Sequence, residues 1–254
     1  MNKKYLDILL LAVLLIVGTL VSFYFEPSLL VSITFFYICP SVWLSYRSPK
    51  HIKRITVFSI LVTALFFVAD YIAVSDKAWF VSSIFGYRFL GVLPIEDSIW
   101  AFFGSYLFVY CYEYFFDDIR HKVYERKLKI FAMGTSLAAV ILAVLILINP
   151  QLLSIPYAYM WLGLSLGLVP TIFVILRHKN IGFKLLVINA YSLVIHLPFE
   201  ISALKSDQWN FPGKNFIGWV SIAGVRFPIE ELVLYVMLTG IIILSWYHLF
   251  DHKD

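Results

Sequence analysis

Two short runs in this chain have the residue types for acid chemistry. Pro94-Ile95-Glu96-Asp97 and Pro228-Ile229-Glu230-Glu231 each place two adjacent carboxylic acids just after a proline. Proline is tolerated in the first turn of a helix and acids are favoured near its N-terminus, so both runs read as helix starts. Capping needs only one acid, however, and here a pair stands at the edge of an apolar stretch twice over. Ionisable groups at such a boundary are costly and usually functional. Two carboxyl groups held close together in an apolar setting resist ionising together, which leaves one as a proton donor and its neighbour as a base.

Each pair has an acid and a tryptophan upstream: Asp70 and Trp79 before the first, Glu200 and Trp209 before the second, nine residues apart in both cases. For Asp70 and Glu200 the competing readings are a salt bridge to Arg88 or Arg226, or simple exposure. Trp79, Trp209 and Trp219 suit the aromatic belt of a membrane boundary, or the wall of a cavity, where aromatic faces stabilise cations. His196, two residues before Pro198, fits a hydrogen-bonded packing role as readily as a catalytic one. His248 and His252 have the spacing of a metal pair, but they close the chain's last helical turn, and no metal site is expected there.

Apolar helices must position these residues. The chain is 61% hydrophobic and 14% charged, with a mean hydropathy of +0.85, whereas soluble domains are roughly half apolar and about a quarter charged. A bilayer core needs about 20 apolar residues per spanning helix. Such stretches recur at 5 to 24, 28 to 46, 54 to 74, 97 to 117, 127 to 148, 157 to 176, 182 to 204 and 229 to 250, the second and sixth being interrupted by Pro40 and Pro170. The expected fold is therefore all-α, a polytopic membrane protein of about eight spans. The first stretch follows Asn2-Lys3-Lys4 but ends in Phe25-Glu26-Pro27 without a small-residue cleavage site, so it reads as a retained anchor. Cys39 and Cys111 both fall inside spans and offer no disulfide framework.

Basic residues set the orientation. Lys3, Lys4, Arg47, Lys50, Lys53, Arg54, Arg120, Lys122, Arg126, Lys127, Lys129, Arg177, Lys179, Lys184 and Lys253 fall on one side of the eight-span arrangement, 15 of the 20 Lys plus Arg. Lys77, Arg88, Lys205, Lys214 and Arg226 fall on the other. This bias predicts a multi-pass protein of the cell membrane with both termini in the cytoplasm. No soluble basic surface is left for nucleic acid.

The chain also repeats itself. An offset of about 130 residues brings Asp70 onto Glu200 and Trp79 onto Trp209. With four more residues in the second loop, Leu93-Pro94-Ile95-Glu96-Asp97 falls on Phe227-Pro228-Ile229-Glu230-Glu231, and Phe116-Asp117 on Phe250-Asp251. Two units follow, 1–125 and 126–254. Each has an even number of spans, so the two four-helix repeats are parallel and both acid pairs lie at one face.

The run Ile84-Phe85-Gly86-Tyr87-Arg88-Phe89-Leu90-Gly91-Val92-Leu93-Pro94-Ile95-Glu96-Asp97 resembles the signature of the membrane-integral lycopene cyclase family. There each domain carries an upstream acid and Trp, a Gly-containing segment, then a Pro-hydrophobic-Glu-Glu motif that opens a span. The second half is similar through Glu200, Trp209, Gly218, Gly224 and Pro228 to Glu231. Asp97 departs from the pattern, which more often has Glu there. The resemblance covers essentially the whole chain and implies a fused form of what other bacteria make as two cyclase subunits. The implied activity is that of an isomerase of carotenoid biosynthesis: an alkene at a linear carotenoid end is protonated, a ring closes through a tertiary carbocation, and a proton is removed. Glu96, Asp97, Glu230 and Glu231 are then the catalytic candidates, Glu96 and Glu230 as the essential members and Asp97 and Glu231 tuning their protonation, with Asp70, Glu200, Trp79, Trp209, Arg88 and Arg226 in support.

No Gly-x-Gly-x-x-Gly fingerprint is present, so no tightly held cofactor is expected. The expected partners are a lipophilic, lycopene-like carotenoid, the bilayer, and other enzymes of carotenoid synthesis. A carotenoid hydratase would use the same protonated intermediate and admit water, and a transporter built of parallel repeats would also carry intramembrane acids. A retinal-linked pump lacks its mid-membrane lysine, since Lys184 and Lys205 sit at the ends of the seventh span.

Overall fold

A computed structural model describes residues 3–116, 125–178 and 181–251. Eight helical stretches run in chain order: α1 (Lys3–Phe25), α2 (Leu29–Arg47), α3 (Ile52–Ser75), α4 (Ile95–Phe115), α5 (Glu125–Ile148), α6 (Ala158–Arg177), α7 (Gly182–Lys205), and α8, which joins Glu231–Met237 to Thr239–Asp251. Among the described residues, six helices are long and apolar enough to cross a membrane, and the two parts of α8, bent by 55°, make a seventh as a pair. The protein is an all-helical, polytopic membrane protein.

The remaining helix, α4, is 21 residues long, enough for roughly 30 Å at ~1.5 Å per residue. It stands apart because much of it is enclosed by other helices. Every residue from Gly104 to Glu113 is buried, Tyr106, Tyr110 and Tyr112 among them. Around α4 pack α2, α3, α7 and α8. By contrast only 17% of the most apolar window of α1 and of α5 is buried, against 50% for α7. The first helix of each half therefore lies at the periphery, which is why these two have the highest hydropathies of the set.

The interrupting prolines are absorbed by wide turns. In α2 a π-helical segment, Thr34–Ile38, precedes Cys39-Pro40, and in α6 the segment Gly163–Leu168 precedes Val169-Pro170. Proline has no N–H for the bond to the residue four back and its ring crowds that carbonyl, and a π-turn relieves both without ending the helix. The bend in α8 has no proline. Asn189 of α7 spans it instead: its side-chain amide donates to the Met237 carbonyl at 2.8 Å, and its side-chain oxygen accepts from the Ile241 N–H at 2.9 Å. Gly240 makes room, because a Cβ there would stand 2.9 Å from the Asn189 Cα.

At one end of the bundle short ribbons replace helix. They comprise β1 (Phe80–Val81), β2 (Arg88–Phe89), β3 (Leu93–Pro94), β4 (Trp209–Asn210), β5 (Trp219–Ile222) and β6 (Val225–Pro228). β2 pairs with β3 and β5 with β6, each an antiparallel hairpin leading into an acidic helix start. The β5–β6 turn places Ala223 and Gly224 at φ +52° and +83°, the left-handed pair that a tight two-residue hairpin requires. β1 pairs with β4, Phe80 opposite Asn210 and Val81 opposite Trp209, which ties the two halves of the chain together.

The element order of the first half recurs in the second. Long helix, π-interrupted helix, 24-residue helix, ribbon, hairpin and acidic helix follow one another twice. The junction at 125 adjoins residues 117–124, which with Arg120, Lys122 and the Asp117 end of the repeat match lie outside the described residues. So do Lys179, His252 and Lys253.

Candidate functional site

The acids gather at the hairpin end, between the halves. Asp70 lies in the last turns of α3 and Glu200 in those of α7; they are 3% and 5% exposed, and the loop after each helix folds its tryptophan back. Trp79 donates from Nε1 to Asp70 Oδ1 at 2.7 Å, and Trp209 donates from Nε1 to Glu200 Oε1 at 2.9 Å. This explains the repeated spacing of nine residues: it is the length of chain needed to close that loop. Both tryptophans are buried carboxylate partners, not belt residues, and neither acid is exposed.

The adjacent acids divide by direction. Successive residues in a helix point about 100° apart, so one acid of each pair faces the hairpin and the other faces the bundle. Glu96 faces the hairpin. Its Oε1 accepts from the Ile84 N–H at 2.7 Å, and the Ser83 hydroxyl donates to both oxygens at 3.2 Å. Glu230 does the same in the second half, accepting from the Ile217 N–H at 2.6 Å. Asp97 and Glu231 turn inward. Asp97 is buried, and among the described residues its Oδ2 has no hydrogen-bond partner. Glu231 instead accepts from the Tyr159 hydroxyl. Tyr159 stacks on Tyr235 with centroids 4.3 Å apart, and the Tyr235 hydroxyl donates to the Tyr159 carbonyl at 2.8 Å.

Asp97, Glu200 and Glu231 line one small pocket together with Trp209, so acids from both halves meet there. Next to it lies a cavity of about 170 Å³ that Asp70 borders. Trp79, Trp100, Tyr159, His196 and Tyr235 line both spaces. An aromatic, largely apolar chamber with a few convergent acids is the usual form of a small-molecule site. Its walls are mostly apolar, so a charge that develops inside would lie among ring faces and the bordering carboxylates.

Arg88 and Arg226 do not join the acids. Arg88 donates to the carbonyls of Val92 at 2.8 Å and Val81 at 2.6 Å and lies 4.9 Å from the Phe80 ring; Arg226 covers the Trp219 ring at 4.8 Å. Among the described residues neither forms an ion pair with a carboxylate. The reason is local: each arginine sits in a hairpin strand, and its nearest acceptors are that hairpin's carbonyls and rings. His196 is buried, with Nδ1 3.1 Å from the Ser192 carbonyl oxygen and rings of Tyr37 and Phe108 packed on it. His248 is buried far from the acids, beside Tyr112 at the other end.

Tyr159 carried no motif to mark it among 16 tyrosines. A comparison of the halves would have found it, because Leu29 stands at the matching place 130 residues earlier and borders the same small pocket. A second polar group went unnoticed at the opposite end. There Glu113, fully buried, accepts from the Tyr247 hydroxyl at 2.5 Å and pairs with Arg54 and, at 3.4 Å, with His51. No family model matches the chain, and no curated protein or solved structure matches it either.

Proposed function

We propose that the protein is a carotenoid end-group cyclase of the membrane, converting a linear lycopene-like polyene to its ring-bearing isomer. The observation that carries the reading is the convergence of buried acids from both halves, Asp70, Asp97, Glu200 and Glu231, on one aromatic chamber. Cyclisation needs a strong acid in a dry site, a base nearby and nothing that intercepts a carbocation.

Roles follow from the hydrogen bonds. The carboxyl groups of Asp97 and Asp70 supply the proton that passes to the terminal alkene. The ring bond forms as electrons from the next double bond close on the tertiary cation, and the new cation lies among Trp79, Trp100 and Tyr159. Glu231, which accepts from Tyr159, removes a ring proton and fixes the double bond. One proton is gained and one lost, so mass is unchanged. Glu96 and Glu230 hold the hairpins over the site. In this reading the repeats are the two halves of one site, both termini are cytoplasmic, and the hairpins face the opposite side.

Expression in a lycopene-accumulating bacterium tests this. The expected pigment has the mass of lycopene and a changed absorption spectrum. A pigment heavier by one water would make the enzyme a hydratase, and unaltered lycopene with the protein present in the membrane would count against both enzymes and leave transport.

A further inference from the structure

The 170 Å³ cavity exists on one side of the repeat only, and the residues at matching places show why. Ala69, Gly163, Leu166 and Gly167 line the 170 Å³ cavity. At the matching places, 130 residues away, stand Phe199, Ile33, Phe36 and Tyr37. All four are 1% exposed or less. Their rings interlock, Phe36 with Phe199 at 5.4 Å and Tyr37 with Phe199 at 5.1 Å. The mirror position of the cavity is thus solid protein. On the open side α6 leans on α8 through glycine, since a Cβ on Gly163 would come within 2.5 Å of Leu234 Cδ1 and one on Gly167 within 2.7 Å of Ile242 Cδ1. The half-buried Val62, Leu65 and Leu166 form the outer part of the lining, between α3 and α6.

Size decides how much can enter. A dry cavity of roughly 150 Å³ takes one benzene ring, so this one has room for a single six-membered ring and not for two. Its inner end carries Asp70 and adjoins the pocket of Asp97 and Glu231, while the rest is apolar. We propose that it is a single blind receptacle for one end of a methyl-branched linear polyene, entered between α3 and α6, and that the two ends of a substrate are handled in separate binding events with the remainder of the polyene left in the lipid. The inference rests on the cyclase reading for its occupant, and on the Ala69/Phe199, Gly163/Ile33 and Gly167/Tyr37 differences for its one-sidedness.

Full-length protein in phosphatidylcholine nanodiscs can be titrated with lycopene, with binding read from the circular dichroism induced in the pigment's visible band. Ala69→Phe installs in the open half the side chain that plugs the other, and should weaken binding by about tenfold or more. Ala69→Leu should give a smaller loss in the same direction, which guards against a folding defect in the larger variant. Phe199→Leu, on the plugged side, should bind within about twofold of the native protein. With lycopene in excess, a one-ring pigment should leave the protein before any two-ring pigment forms. Native-like binding by Ala69→Phe, equal losses on the two sides, or two-ring pigment with no free one-ring pigment would overturn the receptacle. Binding that follows the predicted pattern while no ring forms would keep the receptacle and remove the cyclase.

Discussion

Asp97 and Glu231 each follow a glutamate that faces the other way. Glu96 and Glu230 are held by backbone N–H groups of Ile84 and Ile217, while Glu231 reaches a phenol of the bundle and Asp97 borders the inner pocket with its Oδ2 unpartnered among the described residues. The repeated motif by itself puts Glu96 and Glu230 forward as the essential members with Asp97 and Glu231 tuning them; the hydrogen bonds favour the opposite division, because the phase of the helix start is set by the hairpin before it. Asp97→Asn and Glu231→Gln keep shape and lose the titrating proton, so turnover should fall by about 10²- to 10⁴-fold, as it does when a general acid or base is removed. Glu96→Gln retains an acceptor oxygen for Ile84 and should keep most of its turnover. Pigment yields at matched membrane levels check this, and the reverse ranking would place the chemistry on Glu96 and Glu230. Tyr159→Phe removes the only donor shown for Glu231 among the described residues, and it should act on the deprotonation step, changing the position of the ring double bond or slowing its formation.

At the scale of elements, hydropathy located the helices because most of them face lipid. It served worst where lipid is absent: α4 is recognisable by its ends but is held by buried tyrosines, and α8 gives no sign of its 55° bend. A bend without proline frees backbone groups that must find partners within the protein. Asn189 supplies two of them, a donor for Met237 and an acceptor for Ile241. Asn189→Leu is expected to destabilise the protein by about 1–3 kcal/mol, since it leaves the part-buried Ile241 N–H unpaired and removes the more exposed bond to the Met237 carbonyl. Thermal unfolding in detergent measures this, and an unchanged midpoint would mean that the bend does not depend on Asn189. Because α8 carries Glu231 and Tyr235, the loss should also reduce activity below the unfolding temperature.

Across the whole molecule the halves are fastened at both ends. At the hairpin end β1 pairs with β4 and Gln208 donates to the Pro27 carbonyl at 2.7 Å; at the other end Tyr247 donates to Glu113 at 2.5 Å and Lys184 donates to the Phe116 carbonyl at 3.2 Å. The repeat was legible in its acids and tryptophans, but these fasteners were not: Glu113 falls on Tyr247 in the repeat register, an acid on a phenol, and Gln208 and Lys184 bond backbone carbonyls that residue spacing does not mark. Residues 1–125 and 126–254, made separately, should each be inactive and should regain cyclase activity when made together; activity in either alone would give each half its own site. Reporter fusions after Lys127 and after Asp254 should signal cytoplasm and one near Lys214 the opposite side. A cytoplasmic signal at Lys214 would break the shared face of the two acid pairs.

Cyclisation begun by a protein acid writes solvent hydrogen into the product. Carboxyl protons exchange with water and carbon-bound hydrogens of the polyene do not, so purified protein equilibrated in deuterium oxide and supplied with lycopene should return pigment carrying one deuterium per ring. Mass spectrometry reads the label, and Asp97→Asn should form neither ring nor label. Rings that form without deuterium, or labelled rings made equally well by Asp97→Asn, would contradict a site in which the Asp70–Asp97 pair delivers the proton.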